Sequence, residues 1–341
     1  MKDNLAYAGA EDLTNATDVA STSRADEPDH TAFLLDLKAG LAQQRKSISP
    51  KYFYDAAGSA LFDDICKLPE YYPTRTELSI LQRHAREIAL HLGPHAEILE
   101  FGAGSMQKVR VLLDAMDRPA RYVPIDISGD HLNDAALKMG KAYPRLEIEP
   151  LVADYTQDLV LPPDMPPEGR RVGFFPGSTL GNFEPLDALR FMRMCARTLQ
   201  GGALILGADL VKSPNLLHAA YNDAQGVTAD FNRNVLVRAN RELGANFQPD
   251  QFAHSAFYNA PFQRIEMHLM SICQQTVRVG GSSFTFAQGE TLHTENSYKF
   301  TVEGLHQLAQ RAGFTPTQAW TDPDNKFCLL WLDAPKPRSH A

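Results

Sequence analysis

The chain has 341 residues, of which 44% are apolar, and a formal net charge of -8. That length holds one large domain or two ordinary ones with a sizeable core, and the acidic balance argues against general nucleic-acid binding. No apolar run reaches the ~20 residues of a membrane span, and the first thirty residues lack a leader-like apolar stretch, so the cytoplasm is the expected location.

Residues 1–30 are polar and aperiodic and read as a tail. Phe33, Leu34, Leu37 and Leu41 recur at helical spacing, which predicts a helix over Thr31 to Arg45. The next segment, Pro50 to Glu77, is dense in aromatics and prolines. It reads equally well as a plug that fixes an N-terminal arm (31–76) or as a lid whose tyrosines line a ligand pocket. A helix is predicted from Thr76 to His91, closed by Gly93-Pro94.

From Ala96 short apolar strands alternate with amphipathic helices. Strands are predicted at 96–101, 121–126, 148–152, 171–176 and 202–208, and helices at 105–116, 129–142 and 185–199. This pattern implies an α/β fold with a parallel sheet covered on both faces. After Pro214 the character changes. Leu216 to Glu242 reads as one long helix, Asn246 to Tyr258 as irregular, and Arg264 to Val279 as one strand. Gly280-Gly281 turns that strand back onto Ser283 to Phe286. Thr301 to Ala312 is a predicted helix, and Gln318 to Thr321 with Phe327 to Leu332 a closing hairpin. The expected layout is a main domain over 77–212 and 300–335, with a second domain (213–299) inserted between Val211 and Phe300 and joined by the arm.

The turn Gly102-Ala103-Gly104 follows the first sheet strand. A dinucleotide fingerprint needs a small residue three positions after its second glycine, and here that residue is Gln107. A Gly-x-x-x-x-Gly-Lys phosphate loop is absent as well. An adenosine-bearing ligand without phosphate fits better, and S-adenosylmethionine is the common one. Asp126 ends the next strand, where its carboxylate can accept from both ribose hydroxyls. Asp154 ends the third and can accept from an adenine amino group, with Tyr155 beside the ring. Each aspartate alone reads as a turn or cap residue. At successive strand ends they point to a cofactor-dependent methyltransferase. The cysteines Cys66, Cys195, Cys273 and Cys328 are scattered and read as reduced fillers. His254, His268 and His293 have no compact ligand spacing, so no metal is expected.

Five motifs carry a resemblance: Leu-Pro-Glu-Tyr-Tyr-Pro-Thr-Arg-Thr-Glu (68–77), Gly-Ser-Thr-Leu-Gly-Asn-Phe (177–183), Ala-Tyr-Asn-Asp-Ala-Gln-Gly-Val-Thr (220–228), Arg-Ile-Glu-Met-His-Leu (264–269) and Thr-Glu-Asn-Ser-Tyr-Lys (294–299). Over Lys51 to Leu332 the chain resembles the histidine-specific Nα-methyltransferases of ergothioneine biosynthesis. The resemblance implies a class I (Rossmann-like) methyltransferase sheet with an inserted α+β substrate-binding domain. It implies three methyl transfers from S-adenosylmethionine to the α-amino group of L-histidine, giving hercynine.

By matching motif, Asn182 and Tyr221 are the implied catalytic pair, holding the carboxylate and amine of histidine. Glu295 and Ser297 would hold the imidazole, and Phe62, Thr228, Met267 and one of Tyr71 and Tyr72 would line the pocket. Tyr54, Gly102, Lys108, Asp126, Asp154 and Tyr155 would contact the cofactor. Gln107 is a departure, since the family often has arginine just before the lysine.

Plainer readings stand beside these roles. Asn182 can cap the helix starting near Glu184, Tyr221 and Met267 can be core, and Glu295 can pair with Lys299 at the surface. The rival functions are an N-methyltransferase for another amino acid or imidazole compound, and a non-catalytic S-adenosylmethionine-binding regulator. The implied partner is a small molecule, with no nucleic acid or membrane, and a monomer is expected.

Overall fold

The computed structural model describes residues 27–157, 159–162 and 169–336, so residues 1–26 of the predicted tail lie outside the described part. The arm contains α1 (Glu27–Leu41), a single turn at Pro50–Phe53 and α2 (Ala56–Ile65). α3 (Tyr72–Leu92) leads into β1 (Glu97–Phe101), α4 (Gln107–Leu113), β2 (Arg121–Asp126) and α5 (Gly129–Ala142). Then come the short strands β3 (Glu147–Ile148) and β4 (Leu151–Val152), followed by β5 (Arg171–Phe175), α6 (Pro185–Thr198) and β6 (Ala203–Asp209). Next are α7 (Pro214–Tyr221), α8 (Val227–Leu243), β7 (Phe252–Asn259), β8 (Arg264–Ser271), β9 (Gln275–Val279), β10 (Ser282–Phe286) and β11 (Thr291–Tyr298). The described chain ends with α9 (Val302–Ala312), β12 (Thr315–Thr321) and β13 (Phe327–Asp333).

The large sheet has the order β12-β13-β6-β5-β1-β2-β3, with β4 also on β2. Strands β1 to β6 run parallel, while β13 pairs antiparallel with β6 and with β12. This is the Rossmann-like methyltransferase class of α/β fold. Chain order reverses between β1 and β5, and ligands of such sheets bind beyond the carboxyl ends of the strands at that reversal. The central strands are buried on both faces, and helices cover both sides.

A second core lies outside this sheet. Phe33, Leu37, Tyr52 and Phe53 of the arm pack with Leu217, Phe231, Val235, Leu269 and Leu292. That core sits on the antiparallel sheet β11-β8-β7, with the β9–β10 hairpin beside it.

Several elements differ from the sequence reading. α3 starts at Tyr72 instead of Thr76, because Pro73 falls in its first turn, where the missing N–H is not needed. The long helix predicted from Leu216 breaks into α7 and α8. Gly226 adopts φ 77° there, and the Asp223 carboxylate accepts from the backbone N–H groups of Val227 (2.9 Å) and Thr228 (2.8 Å). The single strand predicted over Arg264 to Val279 divides into β8 and β9, which belong to different sheets. The irregular stretch contains β7, which pairs with β8 over its whole length. β11 and α2 had no predicted counterpart.

Candidate active site

The carboxyl ends of β1, β2, β4, β5 and β6 open into one cleft. Gly102 and Gly104 follow β1 with φ of 72° and 47°, conformations that glycine adopts without strain. Asp126 fixes this turn by accepting from the N–H of Gly104 (3.2 Å) and of Ser128 (3.0 Å). Its carboxylate faces the cleft, as does that of Asp154. Asp154 accepts from the backbone N–H (2.9 Å) and hydroxyl (2.6 Å) of Thr156. The Tyr155 ring lies against Gly102 and within 6.4 Å of Phe101, centroid to centroid. A glycine turn, a strand-end carboxylate and an aromatic plate are the donor set that an adenosine requires, so these residues fit S-adenosylmethionine.

Lys108 lines the same cleft, but its ammonium is committed to the buried Glu77, 2.7 Å away. Burial depresses the lysine most strongly, but the Glu77 charge and hydrogen bond, with Cys66 and Glu100, together outweigh it and hold the pKa above its ordinary value. Glu77 also accepts from the N–H of Gly177 at 3.0 Å, tying α3 to the loop after β5. The sequence places Glu77 at a helix start and at the end of the first motif, without a role. The tight approach leaves a trace in β6, where a Cβ on Gly207 would lie 2.2 Å from the Glu77 carboxylate.

The cleft narrows into an inner chamber walled by both cores. Tyr54, Phe62, Tyr71, Gly177, Asn182 and Glu295 line both the cleft and the chamber. Thr228, Phe231, Met267, Tyr221, Ser297 and Lys299 close the chamber's far end. The aromatic rings hold each other edge-on: Tyr54–Phe62 at 5.8 Å, Phe62–Tyr71 at 6.3 Å and Tyr71–Tyr221 at 6.5 Å. So the aromatic segment both plugs the arm into the second core and lines the pocket. Of the paired tyrosines, Tyr71 lines the chamber. Tyr72 is one position further on, and its hydroxyl donates to Asp209 at 2.7 Å.

Asn182 ends a single helical turn, Thr179–Asn182. It does not cap α6, whose N-cap residue is Glu184. Ser178 begins that turn in the left-handed region at φ 62°, a costly conformation that clusters at functional sites. Its hydroxyl accepts from the Asp209 N–H at 2.9 Å. A Cβ on Gly181 would lie 2.7 Å from the Tyr298 carbonyl, so this loop packs directly on β11.

Glu295 is 8% exposed, and Lys299 is 3% exposed, so the two do not form a surface pair. Burial pushes the Glu295 carboxyl up to about 7, with Lys299 opposing. The β8–β11 register shifts between His293 and Glu295, an irregularity of the kind that re-aims side chains beside active sites. Lys299 contacts Asp209 (3.0 Å), Ser297 Oγ (2.8 Å) and the Tyr221 hydroxyl (3.1 Å). Tyr221 in turn lies 2.7 Å from Ser297 Oγ. Two residues implied for opposite ends of the substrate are therefore direct neighbours. Met267, 2% exposed, and Tyr221 are both core and chamber wall.

The histidines are less scattered than their spacing suggested. Pairing of β8 with β11 stacks His268 on His293 at 4.7 Å, and ligating atoms of both and of Glu266 lie within 4.8 Å of one another. Arg264 holds Glu266 at 2.7 Å, which puts a positive charge where a cation would need room. His254 lies apart, 2.9 Å from the Tyr221 carbonyl.

Comparison with known proteins matches residues 33–334 to the family of histidine-specific, S-adenosylmethionine-dependent methyltransferases. The chain is 44% identical to a histidine N-alpha-methyltransferase of Mycolicibacterium smegmatis, over 86% of this chain and 92% of that one. It is 40% identical to the protein of the same name from Mycobacterium tuberculosis, over 89% and 95%. Ergothioneine biosynthesis protein 1 of Neurospora crassa is 27% identical over 79% of this chain and 31% of its own length. With the methyl-donor cleft in place and the match spanning nearly every described residue, the chain belongs to the histidine-specific, S-adenosylmethionine-dependent methyltransferase family.

Proposed function

We propose that this enzyme transfers three methyl groups in succession to the α-amino nitrogen of L-histidine, giving hercynine in ergothioneine biosynthesis. The observation that carries the reading is Glu295, a buried acceptor in the wall of an aromatic chamber, where that chamber opens onto the cofactor cleft. An imidazole N–H directed at it forms a charge-assisted hydrogen bond. A side chain without that donor would leave the group buried and unpaired, which favours histidine.

Gly102, Asp126, Asp154 and Tyr155 are the residues that would hold S-adenosylmethionine, which supplies an electron-poor methyl group when bound. Tyr54 lies where cleft and chamber meet and would shield that group from water. Lys108 acts indirectly, through Glu77 and the Gly177 loop. Asn182, on the same wall, suits the amino-acid end of the substrate. Its neutral amide donates to a carboxylate and accepts from an amine without favouring the unreactive ammonium. Tyr71, Phe62, Thr228 and Met267 shape the space between the two ends. Holding histidine by ring and carboxylate lets the amine lose its N–H groups over three rounds without losing its place.

The unit built from the arm and residues 213–299 is the proposed substrate-binding part, because Glu295, Ser297, Tyr221 and Met267 all belong to it. Isothermal titration with histidine against other amino acids tests this function. Selective binding of histidine is expected, and equal binding of tryptophan or alanine would overturn it.

A further inference from the structure

The far end of the chamber carries a charged cluster that the proposed reaction has not used. Asp209, at the end of β6, carries two lysines: Lys212 at 2.6 Å on Oδ1 and Lys299 at 3.0 Å on Oδ2. Tyr72 also donates to Oδ2, at 2.7 Å. Lys212 alone neutralises this carboxylate. A second ammonium, with its side chain only 1% exposed, adds a buried positive charge that shares Asp209 and acts on the nearby Glu295 carboxyl.

What Lys299 does follows from counting hydrogens. An ammonium has three, and its three neighbours are Asp209 Oδ2, Ser297 Oγ (2.8 Å) and Tyr221 Oη (3.1 Å). Both hydroxyl oxygens therefore accept from Lys299. The two hydroxyls also bond each other at 2.7 Å, which uses one of their two hydrogens. If Tyr221 donates to Ser297, the Ser297 hydrogen is left over. If Ser297 donates to Tyr221, the Tyr221 hydrogen is left over. In either arrangement one O–H remains, and both residues line the chamber.

We propose that Lys299 is a positioning residue that makes the Tyr221–Ser297 pair a hydrogen-bond donor, so that the chamber offers one donor there and one acceptor at Glu295. A neutral imidazole matches both, with one N–H and one bare nitrogen. Without Lys299 the hydroxyl pair would present lone pairs as readily as hydrogens, and the distinction would fade. This inference rests on the histidine reading above, with the ring at Glu295 and Ser297.

The test compares histidine with the two pyrrolylalanines, which keep one ring N–H but carry C–H in place of the bare nitrogen. Initial methylation rates are measured with each, for the wild type and for Lys299→Met. The wild type should prefer histidine strongly. In Lys299→Met the preference in kcat/KM should shrink by roughly tenfold, as expected for loss of one directed hydrogen bond, mainly through KM for histidine. Affinity for S-adenosylhomocysteine and the melting temperature report whether the variant is folded. If it is not, Lys299→Leu, which likewise leaves Asp209 paired with Lys212, is measured in its place. Equal loss for histidine and the pyrrolylalanines would mean a purely structural lysine and would overturn the proposal. So would a wild type that accepts a pyrrolylalanine as well as histidine. A wild type with no activity on histidine would overturn the histidine reading first, and this arm is read separately.

Discussion

At the scale of single residues, Glu295 and Asp126 divide the chemistry between them. Removing the Glu295 acceptor by Glu295→Ala should weaken histidine binding by roughly 10- to 100-fold, the worth of a charge-assisted hydrogen bond, and barely alter cofactor affinity. Asp126→Ala should do the reverse, and calorimetry with each ligand separates the two. The raised pKa of Glu295 sets a sign for stability. Its folded value of about 7 lies above the usual carboxyl value, so the free enzyme loses stability as pH rises from the ordinary carboxyl range through about 7. Glu295→Gln should therefore melt at a higher temperature than the wild type above pH 7, although it binds histidine less well. A melting temperature that does not differ between them at any pH would contradict the buried, raised carboxyl. Glu295 could be named from its motif, but its burial could not. Its sequence neighbour Lys299 invited a surface pair, and only strand pairing shows both turned inward, with the lysine directed at Asp209.

At the scale of elements, α2 is tied to α8 by one side chain. Asp55 accepts from the N–H of Gly58 (2.7 Å), from Asn234 (2.8 Å) and from Arg241 (2.5 Å). Burial opposes its ionisation, but these bonds outweigh burial and keep its pKa below the usual value. The stabilisation is present above the ordinary carboxyl pKa and fades as pH falls through the lowered one. Asp55→Ala should cost about 0.5–2 kcal/mol at neutral pH, measured by denaturant unfolding, and less in acid. β6 offers a steric test. Gly207→Ala would press a methyl onto Glu77, 2.2 Å away, and onto the Phe327 ring at 3.3 Å. It should destabilise the fold by about 1–3 kcal/mol. The βα repeat was readable because each element has its own hydrophobic period. β11 and α2 were not, because polar residues such as Glu295, Ser297, Ser59 and Asp63 face the chamber or the cleft and break the period; β7 was not, because it is an edge strand whose His254 and Asn259 turn to polar partners. The α7–α8 break was signalled by Asp223 and Gly226, which the longer helical pattern masked.

At the scale of the molecule, two cores meet over the carboxyl edge of one sheet. The strand order and its reversal point follow from βα alternation, so the methyl-donor cleft was legible from the sequence. The chamber was not legible from pattern alone. Its walls come from the arm, the loop after β5, the end of α7 and strand β11, which are far apart in the chain and converge only in the fold. Resemblance to the family identified most of those residues, and its motifs include Glu77 and Lys299; the pairings Glu77–Lys108 and Asp209–Lys299 came only from the packing. The central claim is that this chamber presents the α-amine of histidine, and no other group, to the donor cleft. Mass spectrometry of histidine incubated with the enzyme and S-adenosylmethionine tests it most directly. Fragmentation should place three added methyl groups on the α-nitrogen. An unmodified histidine, or one methylated on its ring, would contradict the claim.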